Sequence, residues 1–75
     1  MGHDLHVVFG TGAIGLATIE ILAARGTPVR AVNRSGRADV PDGVDVLGGD
    51  ASDPAFATEA SARAAVVYQC LNPPY

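Results

Sequence analysis

Seventy-five residues, 48% of them apolar, with few aromatics and a formal charge of -3, describe one small domain or a piece of a larger one and exclude a disordered chain. The five basic residues are scattered arginines with no lysine among them, so no nucleic-acid footprint is expected. No apolar run is long enough to cross a bilayer, Met1-Gly2-His3-Asp4 lacks the basic stretch of a secretory leader, and Cys70 has no partner for an internal disulfide, so the expected setting is a reducing cytoplasm.

Leu5-His6-Val7-Val8-Phe9 is a continuous apolar run leading into glycine, the pattern of a strand buried on both faces. A helix is predicted from residue 13 to about residue 25. Ile14, Ala17, Ile21 and Ala24 recur on one stripe, widened by Leu16, Ile19 and Leu22, while Glu20 points elsewhere. Gly26 ends the helix, because glycine most easily takes positive φ. Residues 28–33 form the second strand, with Pro28 tolerated at its first position. Residues 34–43 are polar and hold Gly36, Pro41 and Gly43, which makes them a loop, with or without a short helical turn. Val44-Asp45-Val46-Leu47-Gly48-Gly49 is the third strand. Asp53-Pro54 opens a second helix: the carboxylate caps free backbone N–H groups and proline fits the first turn. That helix is predicted to reach about residue 63, with Glu59 and Arg63 one turn apart as an ion pair. Ala65-Val66-Val67-Tyr68-Gln69-Cys70-Leu71 is the fourth strand, broken by Asn72-Pro73-Pro74.

The order β-α-β-β-α-β implies an α/β fold. Parallel strands need crossovers, and right-handed crossovers leave a doubly wound sheet of order 3-2-1-4 with a helix on each face. Residues 1–75 then form the N-terminal half of a Rossmann-type domain. Strand four lies at an open edge, apolar and without charge or proline. It is expected to recruit a second copy, giving a homodimer.

The strongest motif is Gly10-Thr11-Gly12-Ala13-Ile14-Gly15, placed between a predicted strand and a predicted helix. Gly10 permits the turn out of the strand, Gly12 lets a pyrophosphate approach the backbone, and Gly15 lets the helix pack closely on the sheet. The helix start offers unpaired N–H groups and a positive dipole end, which suit an anion. The Gly-Lys-Ser/Thr ending of a P-loop is absent. An S-adenosylmethionine site also uses a glycine loop, but Val8 and Phe9 stand where such sites have an acid, and Asn33 ends strand two.

An acid about 20 residues beyond the glycines would bond the ribose 2′-hydroxyl of NAD. This chain has Val32-Asn33-Arg34-Ser35 there, so nothing repels a 2′-phosphate. Arg34 offers a planar cationic fork, and Asn33 and Ser35 add neutral donors, which favours NADP over NAD. Arg34 is otherwise a solvated loop charge, and Arg37 is a second candidate of the same kind. Asp50, at the carboxyl edge of strand three, is either an acceptor for an adenine amino group or a turn aspartate bonding nearby backbone.

These residues carry a family resemblance. The glycine loop, the phrase Val29-Arg30-Ala31-Val32-Asn33-Arg34 and the segment Gly49-Asp50-Ala51-Ser52-Asp53 resemble the N-terminal part of the short-chain dehydrogenase/reductase superfamily. The branch is the extended or atypical one, the NAD-dependent epimerase/dehydratase-like proteins, and the resemblance covers essentially the whole chain. It implies that residues 10–15 hold the pyrophosphate, that Arg34 sits near the 2′-phosphate, that Asp50, with Ala51 beside it, meets adenine, and that Cys70-Leu71-Asn72 lines the cofactor after strand four. Two departures stand out. Phe9 occupies the first glycine of the GxxGxxG spacing common in extended members, and the catalytic Tyr-x-x-x-Lys pair is absent, since Asn72 lies four residues after Tyr68.

No catalytic or metal-binding constellation is expected. His3 and His6 are too few for a metal site, and Cys70 reads as a small buried hydrophobe. The leading expectation is a nucleotide-binding half of an NAD(P)-dependent oxidoreductase or epimerase, not catalytic alone. The alternative is a self-associating mini-protein with no ligand.

Overall fold

The computed structural model describes residues 4–70. At its centre is β1 (Leu5–Phe9), whose Val7, Val8 and Phe9 are buried. It pairs in parallel with β2 (Val29–Asn33) on one side and with β4 (Ala64–Gln69) on the other. β3 (Asp45–Gly48) pairs in parallel with β2, giving the sheet order β3-β2-β1-β4. With one helix on each face this is a Rossmann-like α/β half domain in the order expected from the sequence.

Alternation along the strands divides the core into two layers. On one face α1 (Ala13–Ala24) buries Ile19 and Leu22 against Val8, Val29 and Ala31. On the other, Ala60 of α2 (Pro54–Ala60) lies with Val7, Phe9 and Val32, with Phe56 packed beside them. Arg30 crosses this second face to donate from Nη1 to the Ala60 carbonyl at 2.8 Å, a cation at the end of α2 where the helix dipole favours one. No helix among the described residues is long and apolar enough to cross a membrane.

The α1 ending follows the expected chemistry. Gly26 has φ 75°, its N–H bonds the Ala23 carbonyl, and the Thr27 N–H reaches Leu22, the paired bonds of a Schellman motif. At the start of α2, Asp53 accepts from the Ala55 N–H at 3.0 Å, with Pro54 in the first turn.

Other expectations need correction. The stripe Ile14, Ala17, Ile21, Ala24 is exposed, while Gly15, Ile19 and Leu22 face the sheet. A helix with apolar residues around most of its circumference has several stripes of equal merit, and the close approach at Gly15 selects among them. The second helix stops at Ala60, and Arg63 adopts φ 65°, so the Glu59–Arg63 helical pairing has no helix to sit on. Turning back so soon lets β4 begin at Ala64. The β2–β3 crossover contains no helical turn; Val40 and Val44 from that loop pack against the α1 layer instead.

Candidate functional site

The carboxyl ends of β1, β2 and β3 open together into a cleft of about 380 Å³. β1 delivers Gly10, Thr11 and Gly12 to it, β2 delivers Val32, Asn33 and Arg34, and the turn after β3 delivers Gly49, Asp50, Ala51 and Ser52. This is the edge at which parallel α/β sheets bind ligands.

Two of the three glycines in the loop are required, each by a different constraint. Gly10 has φ 101°, and its N–H bonds the Val32 carbonyl at 2.8 Å, which ties the turn to β2. Gly15 lies where a Cβ would overlap the Gly10 carbonyl oxygen and come within 2.9 Å of its carbon, so α1 can approach β1 only with glycine there. Gly12 is unlike both. Its φ is -73°, open to any residue, and a Cβ there would meet nothing within 4 Å. Neither backbone conformation nor packing among the described residues requires a glycine at that position.

Gly12 is also the N-cap of α1 and supplies no side-chain cap. The first intrahelical bond runs from the Leu16 N–H to the Gly12 carbonyl at 2.9 Å. Helix geometry therefore leaves the N–H groups of Ala13, Ile14 and Gly15 without carbonyls inside the helix. The Ile14 side chain is 70% exposed, so its place in the site is through its backbone.

Asn33 organises the second wall. Its Nδ2 donates to Thr11 Oγ1 at 3.0 Å and to the Arg37 carbonyl at 2.6 Å, while its Oδ1 accepts from the Gly36 N–H at 2.7 Å. It is a clamp between the glycine loop and residues 34–37. Ser35 does not line the cleft: its Oγ is engaged with Arg37 backbone at 3.2 Å. Arg34 lies exposed at the rim, facing Asp50.

Asp50 Oδ1 accepts from the Ser52 N–H at 2.9 Å and from Ser52 Oγ at 2.6 Å, the turn role anticipated as one of its two readings. Those two bonds, and then the Arg34 charge, hold its carboxyl below the usual carboxylate range. The cleft therefore carries both a cation and an anion among its lining residues. Val32, Gly49 and Ser52 are lining residues that the sequence did not single out. Asp-x-Ser after a strand is a recognisable turn signal for Ser52, whereas Val32 and Gly49 line the cleft only because of sheet geometry. The Phe56 ring lies where a Cβ on Gly49 would stand.

Leu71, the remaining candidate, lies outside the described residues. Cys70, one position before it, donates its N–H to the Phe9 carbonyl at 2.9 Å, and its Cβ flanks Gly15. His6 Nδ1 and Tyr68 Oη are 3.0 Å apart on the α1 face, away from the cleft. No group of three His, Cys, Asp or Glu side chains that could hold a metal occurs among the described residues. Comparisons with protein-family models, curated proteins and solved structures found no match to this chain.

Proposed function

We propose that the chain binds the ADP-ribose pyrophosphate part of NAD(P), with NADP(H) preferred. The observation that carries this reading is Gly12: a glycine without conformational or packing need, facing open space at an uncapped helix start. A pyrophosphate fits such a place, since it needs close backbone approach, free N–H donors and a positive dipole end. Asn33 holds the loop from the side. Arg34 supplies a rim cation where the ribose 2′ position would lie, and no carboxylate ends β2 to oppose a phosphate. Asp50 keeps an acceptor for the adenine amino group, because its Ser52 bonds are both made by Oδ1.

On the family resemblance, residues 1–75 are the N-terminal half of an NAD(P)-binding domain from a reductase or epimerase of the short-chain dehydrogenase/reductase type. The nicotinamide would supply hydride chemistry. The chain's own residues bind and orient the other end of the cofactor, and none of them is assigned a proton-transfer step. A reducing cytoplasm suits the single thiol.

Calorimetric titration with NADPH, NADH, 2′-phospho-ADP-ribose and S-adenosylmethionine tests this. Saturable binding of the first three is expected, tightest for the 2′-phosphorylated ligands. S-adenosylmethionine, which lacks phosphate, should not bind. Indifference to every phosphate-bearing ligand would refute the reading.

A further inference from the structure

The hydrogens of the Asn33 amide can be assigned one by one, because two of its partners are backbone groups of fixed sense. The Gly36 N–H can only donate, and it reaches Oδ1 at 2.7 Å. The Arg37 carbonyl can only accept, and Nδ2 approaches it at 2.6 Å. Turning the amide over would set oxygen against a carbonyl and NH2 against an N–H, so a single orientation is allowed. Nδ2 carries two hydrogens. One goes to Arg37, and the other is the one that reaches Thr11 Oγ1 at 3.0 Å. Thr11 therefore accepts from Asn33 and does not donate to it.

A threonine hydroxyl has one hydrogen of its own to donate. That of Thr11 has no acceptor among the described residues, and Thr11 stands in the cleft wall between Gly10 and Gly12. The arrangement is stiff. The Asn33 carbonyl accepts from the Gly49 N–H at 2.9 Å, which ties its backbone to the end of β3. Gly36 has φ 73° and lies so close to Gly48 that a Cβ on Gly48 would stand 2.7 Å from the Gly36 nitrogen. Asn33 is thus held by the end of β3, by residues 36–37 and by the glycine loop, and the hydroxyl it bonds is held with it. The other free groups of this corner, the first N–H groups of α1, are donors as well. Donors therefore gather around the open space in front of Gly12.

We infer that Asn33 is a positioning residue that keeps the Thr11 hydroxyl hydrogen free for a phosphate oxygen of the bound nucleotide. The inference rests on the nucleotide reading and adds to it a side-chain donor and the residue that orients it. An ionised phosphate oxygen only accepts, and a hydrogen bond to it is charge-assisted, so it is the matching partner for a set of donors at a helix start. The amide at position 33 is essential to this. An aspartate there would keep the bond from the Gly36 N–H, but its second oxygen would accept from Thr11 instead of donating to it. The hydroxyl hydrogen would then turn to the carboxylate and be lost to the ligand. Amide and acid differ here in the direction of one hydrogen, apart from any contact that residue 33 makes with a ribose.

Calorimetric titration with ADP-ribose and 2′-phospho-ADP-ribose, with circular dichroism for folding, tests this on the wild type, Thr11→Val, Asn33→Asp and the double variant. Thr11→Val keeps the side-chain shape without the hydroxyl and should weaken binding by roughly 10- to 150-fold. Thr11→Ser, which keeps the hydroxyl, should restore most of it. Equal loss for both ligands assigns the acceptor to the pyrophosphate, and a loss confined to the second assigns it to the 2′-phosphate. In the Asn33→Asp background, Thr11→Val should change affinity by no more than about twofold, because the hydrogen has already been withdrawn. A hydroxyl that merely tethered the loop would cost as much there as in the wild type. If Asn33→Asp is unfolded, phosphorus NMR of the bound ligands decides: Thr11→Val should move a phosphorus signal that Thr11→Ser leaves near its wild-type position. Failure of the wild type to bind either ligand would remove the nucleotide reading itself. Wild-type binding that Thr11→Val leaves unchanged, a loss of equal size in both backgrounds, or unmoved phosphorus signals would overturn the Asn33–Thr11 assignment alone.

Discussion

Adding one methyl group at Gly12 and at Gly15 should give opposite results, although the two positions are less than one helical turn apart. At Gly15 the new Cβ overlaps the Gly10 carbonyl, a backbone group that cannot rotate away, so α1 must lift off β1. Overpacking of this kind costs about 1–3 kcal/mol, and the upper end applies against backbone. Gaining alanine's helix propensity returns about 1 kcal/mol, which leaves a net loss of about 2 kcal/mol. At Gly12 the same methyl group meets nothing within 4 Å, and φ of -73° is unstrained. Alanine is only the poorer N-cap, costing about 0.5–1 kcal/mol. If a pyrophosphate seats on that backbone, however, the methyl group blocks it. Losing one charge-assisted bond of about 1.5–3 kcal/mol weakens binding by roughly 10- to 150-fold. Urea unfolding and NADPH titration on both variants separate the two effects. Gly15→Ala should lower the unfolding midpoint more than Gly12→Ala does, and Gly12→Ala should lose affinity while folded. Unchanged NADPH affinity in Gly12→Ala would show that the open space before it is not the pyrophosphate site.

Arg34→Ala should weaken NADPH binding by roughly 10- to 100-fold and leave NADH nearly unchanged, in parallel titrations; equal loss for both cofactors would remove Arg34 from the 2′ position. Asp53→Ala deletes the α2 cap and should cost about 1 kcal/mol, seen as a lower midpoint in thermal unfolding, and an unshifted midpoint would contradict the capping bond. Because the Asp50 carboxyl titrates below its ordinary value of 3.8, its contribution to stability is present above that pH and fades as pH falls through the folded value. Ser52→Ala should move that titration back upward, read by NMR of the Asp50 carboxyl carbon, and an unmoved curve would mean that the Ser52 hydroxyl is not its partner.

The parts of the fold legible in the sequence are those fixed by local chemistry. A continuous apolar run means a doubly buried strand, Gly26 means a helix end, and Asp53-Pro54 means a helix start. Sheet order followed from crossover handedness. The buried face of α1 was not legible, since Ile14, Ile19, Ile21 and Leu22 are equally apolar and only the contact of Gly15 with the Gly10 carbonyl breaks the tie. The extent of α2 was not legible either: Glu59 and Arg63 have helical spacing, but the chain must reverse within that turn to reach β4. In the cleft, the sequence placed Gly10, Thr11, Gly12, Asn33, Arg34, Asp50 and Ala51 together because strand ends converge. It could not show that Asn33 serves the loop on both ends of its amide, or that Ser35 turns toward Arg37. Those contacts depend on the path of residues 34–37, which no periodicity encodes.

The central strand has a consequence for how the molecule assembles. β1 is made first, yet one of its two ladders is with β4, where Leu5 pairs with Ala64 across nearly the whole described length. Closing so long a loop must precede any return from the contacts it makes. The unit β1–α1–β2 can gather early, because its contacts are near in sequence. The end of β1 stays half-held until the Cys70 N–H reaches the Phe9 carbonyl, next to the glycine that begins the loop. That bond joins the last strand to the residue beside Gly10, whose own N–H is held separately by the Val32 carbonyl of β2, so the turn into the loop is anchored from both neighbouring strands.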